Sequence, residues 1–376
     1  MKKRVLMVSC EGLGNGGVQA IMMGIVRNLY TECHFDMLLF TSEKRYYDDE
    51  FLKYGGKIFR VPKYEGGNCL LHRADYYVRD FYTYREVNKI LKNEPPYDVI
   101  HCNREYENAP LLMLASKYNV SVRISQAHII HGKTNVICTL LNKFRTRLIR
   151  TYATKLIGCS YEACCSLYSE RAIFTVLNNF YDDNRFDIGL FTPANISGLT
   201  IVQVGAISDI KNQIYSVEVL AYIRSVGIPA RLKIIGFDMN VSYRKLLEEK
   251  IESIGLREYV DFLPGNTNIP LELNKSNCFI MPSLHEGFGI AIIEAQSMSL
   301  KCFASTNIPL TTNCGNVTYL KLTDGPAKWG DAISQWYQKT KGEKRLATQK
   351  SLSVRMLLIK LENCIKLVRN ENTCSW

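Results

Sequence analysis

Short apolar runs alternate with amphipathic runs along most of the chain, and this alternation is its main structural signal. In the first half the pattern predicts strands at residues 3–9, 35–40, 98–101, 120–125, 156–160 and 175–179, and helices at 18–30, 76–91, 110–117 and 136–152. In the second half it predicts strands at 200–204, 230–235, 260–263 and 278–281, and helices at 213–225, 242–254 and 290–298. Strands that alternate with helices imply parallel sheets covered on both faces.

The alternation weakens at residues 184–199 and then restarts, which indicates a linker. We therefore expect two Rossmann-like α/β domains, at 1–190 and 191–355, followed by a helix at 356–376 that returns to the N-terminal domain. Ligands of open parallel sheets bind at the carboxyl ends of the strands. A cleft between two facing sheets is then the expected site.

The chain carries a formal net charge of +11, and the distribution of this charge matters more than its size. Residues 108–161 contain no Asp or Glu but hold eight cations, namely Lys117, Arg123, Lys133, Lys143, Arg145, Arg147, Arg150 and Lys155. A face of one sign attracts the phosphates of a membrane or a nucleic acid. The predicted helix 136–152 is either a core helix with a basic outer face or a surface for anionic lipid headgroups. No interleaved aromatic and basic module supports nucleic-acid binding.

No apolar run approaches the roughly 18 residues that a membrane span needs. The N-terminal run is too short for a signal peptide, and Glu11 follows it directly, so we expect a cytoplasmic protein. The 13 cysteines show no C-x2-C spacing, which favours free thiols in a reducing compartment.

Two carboxylates follow the strand predicted at 278–281. Glu286 lies in a turn that contains Gly287 and Gly289, and Glu294 lies about two helical turns further on. Backbone N–H groups at a helix start receive phosphate or sugar oxygens, and glycines allow a ligand to approach closely. The two carboxylates can then hold two separated diols, one on a hexose and one on a ribose. The alternative is a solvated pair of acids at a helix N-terminus.

A second strand–loop–helix segment carries one cation, Lys211, and a diphosphate leaving group needs such a charge. Asn15-Gly16-Gly17 forms an anion nest after the first strand. No acid stands at the end of the second strand, where a dinucleotide site requires one, so NAD binding is disfavoured. His128, at the end of a predicted strand, is a candidate ligand contact, and His101 is a weaker one.

Together these segments resemble the family 4 glycosyltransferases of the GT-B fold, in particular their bacterial capsule and exopolysaccharide branch. The likeness extends from about Val5 to Leu320. It is carried by Pro282-Ser283-Leu284-His285-Glu286-Gly287-Phe288-Gly289, Glu294-Ala295-Gln296, Val204-Gly205 and Lys211-Asn212-Gln213, with support from Gly16-Gly17-Val18-Gln19, Arg123 to His128, Gly158-Cys159-Ser160 and Leu177-Asn178-Asn179. The resemblance implies two Rossmann-like domains that face each other across a central cleft, the N-terminal one for the acceptor and the C-terminal one for the nucleotide sugar.

The resemblance also implies a role for each matched residue. Glu286 would bind donor-sugar hydroxyls near the reacting carbon, Lys211 would contact the diphosphate, and His128 would face the sugar. These three are the candidate catalytic residues. The candidate donor-binding residues are Glu294 at the ribose, Leu263 near the base, Gly16 and Gly17 in the N-terminal domain, and the turn of Gly287, Phe288, Gly289 and Ile290.

The implied activity is transfer of a hexose or N-acetylhexosamine with retention of configuration. The expected donor is a UDP-sugar, and the expected acceptor is a saccharide or a polyprenyl-linked saccharide at the inner face of the membrane. No D-x-D sequence occurs, so we expect neither a metal nor another cofactor. The family's Arg after Val-Gly is Ala206 here, which removes one cation from the diphosphate. The alternatives are a non-catalytic sugar-nucleotide-binding protein and a UDP-sugar 2-epimerase of the same fold.

Overall fold

The computed structural model describes residues 2–9, 11–62, 74–132, 135–192 and 194–340, and these form two compact units. Unit 1 extends to Asn179, and unit 2 begins at Phe180. The division falls before the linker expected at 184–199, because Phe180, Tyr181 and Phe186 are buried aromatic residues that belong to unit 2. The helix predicted at 356–376 lies outside the described residues.

Unit 1 alternates strands and helices as the sequence pattern predicts. Its elements are β1 (Lys3–Val8), α1 (Gly17–Leu29), β2 (Cys33–Leu39), α2 (Asp48–Leu52), β3 (Ile58–Arg60), α3 (Ala74–Asn93), β4 (Val99–Cys102), α4 (Asn108–Lys117), β5 (Val122–Ala127), α5 (Val136–Tyr152), β6 (Lys155–Gly158), α6 (Tyr161–Tyr168) and β7 (Thr175–Val176). The strands form a parallel sheet in the order β3-β2-β1-β4-β5-β6-β7.

Unit 2 repeats this construction. Its elements are β8 (Leu199–Val204), α7 (Gln213–Ser225), β9 (Ala230–Gly236), α8 (Val241–Ser253), β10 (Val260–Pro264), α9 (Ile269–Asn274), β11 (Cys278–Met281), α10 (Ile290–Ser297), β12 (Lys301–Ser305), β13 (Val317–Leu320) and α11 (Gly325–Thr340). The order β10-β9-β8-β11-β12-β13 is again parallel throughout. In each sheet the strand order reverses beside the strand that comes first in the sequence, β1 or β8, which is the Rossmann arrangement. The predicted pair of Rossmann-like α/β domains is confirmed.

Each unit has an apolar core of its own. In unit 1, Leu6 of β1, Leu111 of α4 and Ile124 of β5 are fully buried. In unit 2, Leu232 of β9 and Leu247 of α8 are fully buried within one cluster. The central strands are apolar on both faces because right-handed crossovers cover a parallel sheet with helices on each side.

The residues that helix α5 buries differ from those expected of a core helix with a basic outer face. Its bounds agree with the prediction, and Asn135 caps it by accepting a hydrogen bond from the Cys138 N–H (2.9 Å). Its buried residues, however, are Arg145 and Ile149. Four apolar residues at its N-terminal end are exposed: Val136, Ile137, Leu140 and Phe144. The core-helix interpretation is therefore wrong for the first turns of α5, because Arg145 turns inward to pair with Asp80 of α3 (2.5 Å).

Within the described ranges, no helix has the length and the apolar composition that crossing a membrane requires.

Candidate active site

The second sheet reverses its strand order between β8 and β11, and the main candidate residues follow these two strands. β8 pairs with β9 on one side and with β11 on the other. The chain leaves β8 and β11 towards opposite faces of the sheet, so a crevice opens at their carboxyl ends. Lys211 follows β8 and Glu286 follows β11. The strand order thus brings together two residues that are 75 positions apart in the sequence.

A buried amide fixes the loop that carries Lys211. Gln203, near the end of β8, donates from Nε2 to the Lys211 carbonyl (2.7 Å) and accepts a hydrogen bond from the Ser216 hydroxyl (2.7 Å). Lys211 ends a short 3-10 turn, and Asn212 then starts α7 from a left-handed conformation (φ +56°). Since both ends of the buried amide are bonded, this loop has little freedom to move.

Hydrogen bonds join the loop after β8 to the loop after β11. Asn212 Nδ2 donates to the Pro282 carbonyl (3.1 Å), and the Leu284 N–H donates to the Ile210 carbonyl (2.8 Å). The next strand supports the second loop, because the Ser305 hydroxyl donates to the Ser283 carbonyl (2.6 Å). The two loops therefore behave as one wall of the crevice.

Lys211 and Glu286 form an ion pair on this wall. Lys211 Nζ lies 2.5 Å from Glu286 Oε1, and the two side chains are 24% and 10% exposed. An ammonium group has three donors, so Lys211 can hold Glu286 and still donate to a phosphate oxygen. The pair thus offers a cation for negative charge beside a carboxylate for hydroxyl groups.

The turn from Glu286 into α10 depends on glycine. Gly289 has a φ of +91°, and a Cβ at this position would lie 3.3 Å from the Met281 side chain. Gly287 is partly exposed, Phe288 is 2% exposed and anchors the turn, and Ile290 begins α10. The first backbone N–H groups of a helix have no intrahelical partner, so they remain for a ligand or water.

Glu294 lies in the second turn of α10, on a partly buried position. Burial raises the pKa of its carboxyl to about 7, while the nearby Arg185 lowers the pKa and Asp182 raises it. No hydrogen-bond partner of this carboxylate is found in the described part of the chain. A desolvated carboxylate with open acceptor positions is suited to bind a pair of hydroxyl groups.

Three glycines stand close together at the carboxyl ends of β8, β9 and β10. A Cβ at Gly236 would clash with the Gly205 carbonyl, and a Cβ at Gly265 would lie 3.4 Å from the backbone of Gly236. Leu263 is in register with Ile235 at the same edge of the sheet. These glycines let the loops at the strand ends approach each other closely. Sequence reasoning missed Gly236 and Gly265, although each directly follows or ends a predicted strand.

The site lacks a cation at Ala206, as the sequence indicates. The Ala206 carbonyl accepts a hydrogen bond from Gln213 Nε2 (2.9 Å), which orients its peptide group. Arg185 is a cation that sequence reasoning placed in a linker, and it lies near enough to Glu294 to shift the pKa of that carboxyl. Its signal in the sequence is weak because it lies in an irregular segment.

In unit 1, Gly16 and Gly17 lie between β1 and α1. Gly16 precedes the helix with φ −92°, and Gly17 is its first residue. A Cβ at Gly16 would meet the Gln19 side chain, and one at Gly14 would meet no atom within 4 Å. This loop follows the strand beside which the first sheet reverses its order, so the backbone is open at the carboxyl edge of the sheet.

His128 follows β5 and belongs to a buried hydrogen-bond network. Asn103 Nδ2 donates to the carbonyls of Val8 (3.2 Å) and His101 (3.3 Å), so its Oδ1 accepts from His128 Nε2 (2.8 Å). Burial lowers the pKa of His128 to about 3, so the ring is neutral. Its Nδ1 is then an acceptor, and it is buried without a partner among the described residues. Such an atom is suited to accept a hydrogen bond from a ligand hydroxyl.

Glu105 connects His128 to a second histidine. Its Oε1 accepts from the His128 backbone N–H (2.7 Å), and its Oε2 lies 3.1 Å from His131 Nε2. Glu105 has a left-handed backbone (φ +55°), a conformation that non-glycine residues hold at a cost. His101, the weaker candidate, is 2% exposed and is bonded to Gln126 Oε1 (2.8 Å). Sequence reasoning missed Asn103, Glu105 and His131.

The structure thus divides the predicted site residues into two sets. Lys211, Glu286, Glu294, Leu263 and the turn 287–290 share the carboxyl edge of the second sheet. His128, Gly16 and Gly17 belong to unit 1. In neither unit do the described residues include three or more His, Cys, Asp or Glu side chains arranged to hold a metal ion.

Residues 192–348, which contain the Lys211–Glu286 pair, match the family model described as "Glycosyl transferases group 1". In this part the chain is therefore similar to the group 1 glycosyltransferases. The chain is also 26% identical over 353 residues to the "Putative glycosyltransferase EpsF" of Bacillus subtilis (strain 168), covering 89% of this chain and 88% of that protein.

Solved structures share the fold of the chain. Anabaena Alr3699/HepE in complex with UDP-glucose has a TM-score of 0.78 at 15% identity and covers 97% of this chain and 99% of its own. The sucrose-phosphate synthase of Thermosynechococcus elongatus has a TM-score of 0.71 at 13% identity, with 98% and 99% coverage. These likenesses show the fold, and the predicted GT-B fold class is confirmed.

Proposed function

We propose that the protein transfers a hexose or N-acetylhexosamine from a nucleotide sugar, a UDP-sugar, to a saccharide or polyprenyl-linked acceptor. The observation that carries the proposal is the Lys211–Glu286 pair at the reversal point of the second sheet, 2.5 Å apart. Residues 192–348, which are similar to the group 1 glycosyltransferases, contain this pair. Anabaena HepE, of similar fold, was solved with UDP and with UDP-glucose. The likeness to the putative glycosyltransferase EpsF supports glycosyl transfer, and a role in exopolysaccharide synthesis is part of the proposal.

The proposed reaction proceeds with retention of configuration. The bond from the anomeric carbon to the β-phosphate oxygen breaks, and an acceptor hydroxyl oxygen bonds to the same face of that carbon. The hydroxyl proton passes to the leaving phosphate. Lys211 would stabilise the charge on the diphosphate, Glu286 would orient the sugar hydroxyls, and Glu294 would hold the ribose.

In this scheme His128 would accept a hydrogen bond from the donor sugar through Nδ1, which is buried without a partner among the described residues. A neutral ring is required for that role, and burial holds the pKa of His128 at about 3. Gly16 and Gly17 would allow the backbone of unit 1 to approach the donor. Leu263, at the carboxyl end of β10, would lie near the base.

We also propose that α5 contacts an anionic membrane at the inner face, where the acceptor would be presented. Val136 is 75% exposed, Leu140 61% and Phe144 55%. Exposed apolar side chains beside exposed Lys and Arg on one helix are typical of interfacial helices.

The proposal is tested first by donor binding. A ligand of the native state raises the melting temperature, so a thermal-shift panel of UDP-, GDP- and ADP-sugars identifies the donor. We expect stabilisation by a UDP-sugar and, in a transfer assay, activity that EDTA does not remove. Stabilisation without transfer or donor hydrolysis would favour the non-catalytic alternative, which the missing cation at Ala206 makes worth testing. Conversion of the donor without any acceptor would favour the epimerase.

The second test concerns the two paired residues. We expect Lys211→Ala and Glu286→Ala each to lower the transfer rate by about 100-fold or more, because Lys211 would stabilise the leaving diphosphate and Glu286 would orient the sugar hydroxyls. Lys328→Ala and Glu252→Ala change exposed charges of unit 2 outside the two loops and should leave the rate within about twofold. Transfer at the unaltered rate in either site variant, with the fold intact by circular dichroism, would remove that residue from the mechanism.

A further inference from the structure

A groove of about 1070 Å³ lies in unit 1, between α5 and α6. One wall is α5 from Thr139 to Thr151, and the other is formed by Tyr106, His131 and the end of α6. A groove of this volume is large enough for a small ligand rather than a single ion. No carboxylate is among its lining residues.

Three cations of α5 line this groove: Lys143, Arg147 and Arg150. Their spacing places them on one face of the helix. All three are exposed, and in the described part of the chain none has a carboxylate within ion-pair distance. Arg145 shows the contrast, because it turns to the other face and is neutralised by Asp80. The groove therefore holds three positive charges that the described residues do not compensate.

The three threonine hydroxyls in the groove already donate to backbone carbonyls. Thr146 donates to the Leu167 carbonyl (2.9 Å), Thr139 donates to the Asn135 carbonyl (2.9 Å), and Thr151 donates to the Arg147 carbonyl (2.9 Å). The charged donors that face the groove are the side chains of the three cations, beside the polar groups of Asn142, Ser166 and Ser169. Guanidinium groups pair with phosphate oxygens in a bidentate manner, so these donors select a phosphate over a neutral sugar.

The groove adjoins the network of His128. His131 lines the groove, donates its backbone N–H to Ser166 Oγ (2.8 Å) and lies 3.1 Å from Glu105 Oε2. Glu105 in turn holds the backbone N–H of His128. Through His131 and Glu105, a ligand in the groove would therefore be connected to the residue that the proposed function assigns to the donor sugar.

We propose that this groove binds the phosphate or diphosphate of the acceptor, a saccharide carried on a phosphate ester, through Lys143, Arg147 and Arg150. The assignment of this ligand as the acceptor rests on the proposed function, whereas the phosphate site itself does not. Helix α5 then has two roles: its exposed apolar side chains contact the membrane, and its cations bind the phosphate.

Titration calorimetry with inorganic pyrophosphate tests the site, in the presence of UDP so that the donor site is filled. We expect binding to the unaltered protein and an affinity at least about tenfold lower in Arg147→Gln/Arg150→Gln, because two charge-assisted contacts are lost. The matched control is Lys92→Gln/Lys117→Gln, which removes two exposed charges of unit 1 outside the groove. This control should bind pyrophosphate like the unaltered protein.

Two further probes distinguish the source of the phosphate. Tighter binding of farnesyl diphosphate than of pyrophosphate would identify a lipid-linked acceptor, and tighter binding of glucose 1-phosphate would identify a free sugar phosphate. In both cases Arg147→Gln/Arg150→Gln should lower the affinity by the same factor as for pyrophosphate.

The phosphate site is overturned if Arg147→Gln/Arg150→Gln binds pyrophosphate as tightly as the unaltered protein, or if the control loses as much affinity. It is also overturned if only binding to phosphatidylglycerol vesicles falls in the groove variant, since the cations then serve a lipid surface. UDP binding, measured in each variant, reports on folding and on the donor site separately. If the unaltered protein does not bind UDP, the proposed function is wrong. The pyrophosphate measurements still decide whether the groove is a phosphate site.

Discussion

Glu294 illustrates how burial alone gives a single residue an unusual property. Its pKa is raised to about 7 chiefly by burial, from an ordinary value of 4.5. Between about pH 4.5 and 7 the folded chain therefore retains a proton on Glu294 that the unfolded chain has released. The contribution of Glu294 to the free energy of unfolding is therefore fully present below about pH 4.5, and it is lost as the pH rises through about 7.

We expect Glu294→Gln to remove this pH dependence. Between pH 5 and 8 the unaltered protein should lose on the order of 2 kcal/mol more stability than the variant, a value reduced for the partial exposure of the side chain. Urea unfolding at each pH measures this, followed by the fluorescence of Trp329 and Trp336 of unit 2 in a Trp376→Phe background. Glu252→Gln, at an exposed position of α8, is the control. An equal pH dependence in the unaltered protein and in Glu294→Gln would contradict the expectation.

Burial shifts the pKa of His128 downwards, in the opposite direction to that of Glu294. Burial lowers the pKa of His128 to about 3 and that of His101 to about 4. Both rings stay neutral at physiological pH, and each becomes costly to keep buried as the pH falls below 6.5. A neutral His128 with an open Nδ1 is a hydrogen-bond acceptor, whereas a charged ring would repel a developing positive charge on the sugar.

At the scale of elements, the helix α5 shows how far a periodic pattern can be trusted. The pattern predicted its bounds, because an apolar residue recurs about every third or fourth position and Asn135 provides the cap. The pattern alone did not reveal which face is buried. Arg145 is buried because Asp80, 65 positions earlier, neutralises it.

The exposed apolar side chains of α5 lead to a prediction about membranes. We expect Leu140→Ser/Phe144→Ser to lower partitioning onto vesicles that contain phosphatidylglycerol by about tenfold or more, since two large apolar side chains no longer enter the bilayer. Ile173→Ser, at a residue of unit 1 that is 97% exposed, should leave partitioning unchanged. Vesicle flotation measures both. Equal flotation of the double variant and the unaltered protein would contradict a membrane role for α5.

Several elements were not predicted from the sequence, and they share a physical character. They are α2, β3, α6, α9, β12, β13 and α11. Most are short, so that a single turn or a few extended residues give no periodic signal. The strands β12 and β13 exist because they add to the edge of a sheet that the other strands already form.

At the scale of the whole molecule, the two units have separate cores and repeat one strand order. Such units are expected to unfold as separate cooperative bodies. We predict two calorimetric transitions. Leu111→Ala should lower the transition temperature of unit 1, and Leu247→Ala should lower that of unit 2. Each variant should lose about 2–5 kcal/mol of the free energy of unfolding of its unit, because each removes a fully buried side chain.

UDP should raise the transition that Leu247→Ala lowers, because Lys211 and Glu294, which are proposed to bind the diphosphate and the ribose, belong to unit 2. Calorimetry of both core variants, with and without UDP, measures this. A single transition lowered by both core variants would show that the units unfold together. A rise of the Leu111→Ala transition with UDP would place nucleotide binding in unit 1.

The sequence by itself determined the alternation of strands and helices, the two-domain organisation and the positions of Lys211, Glu286 and His128 after strands. These features depend on neighbours along the chain, namely apolar periodicity, glycine turns and polar strand ends. Tertiary structure alone decided that Lys211 meets Glu286, that Asn103 and Glu105 hold His128, and that Arg145 is buried while Arg147 and Arg150 face a groove. Each of these depends on strand order or on a partner distant in sequence, and no local pattern encodes such a contact.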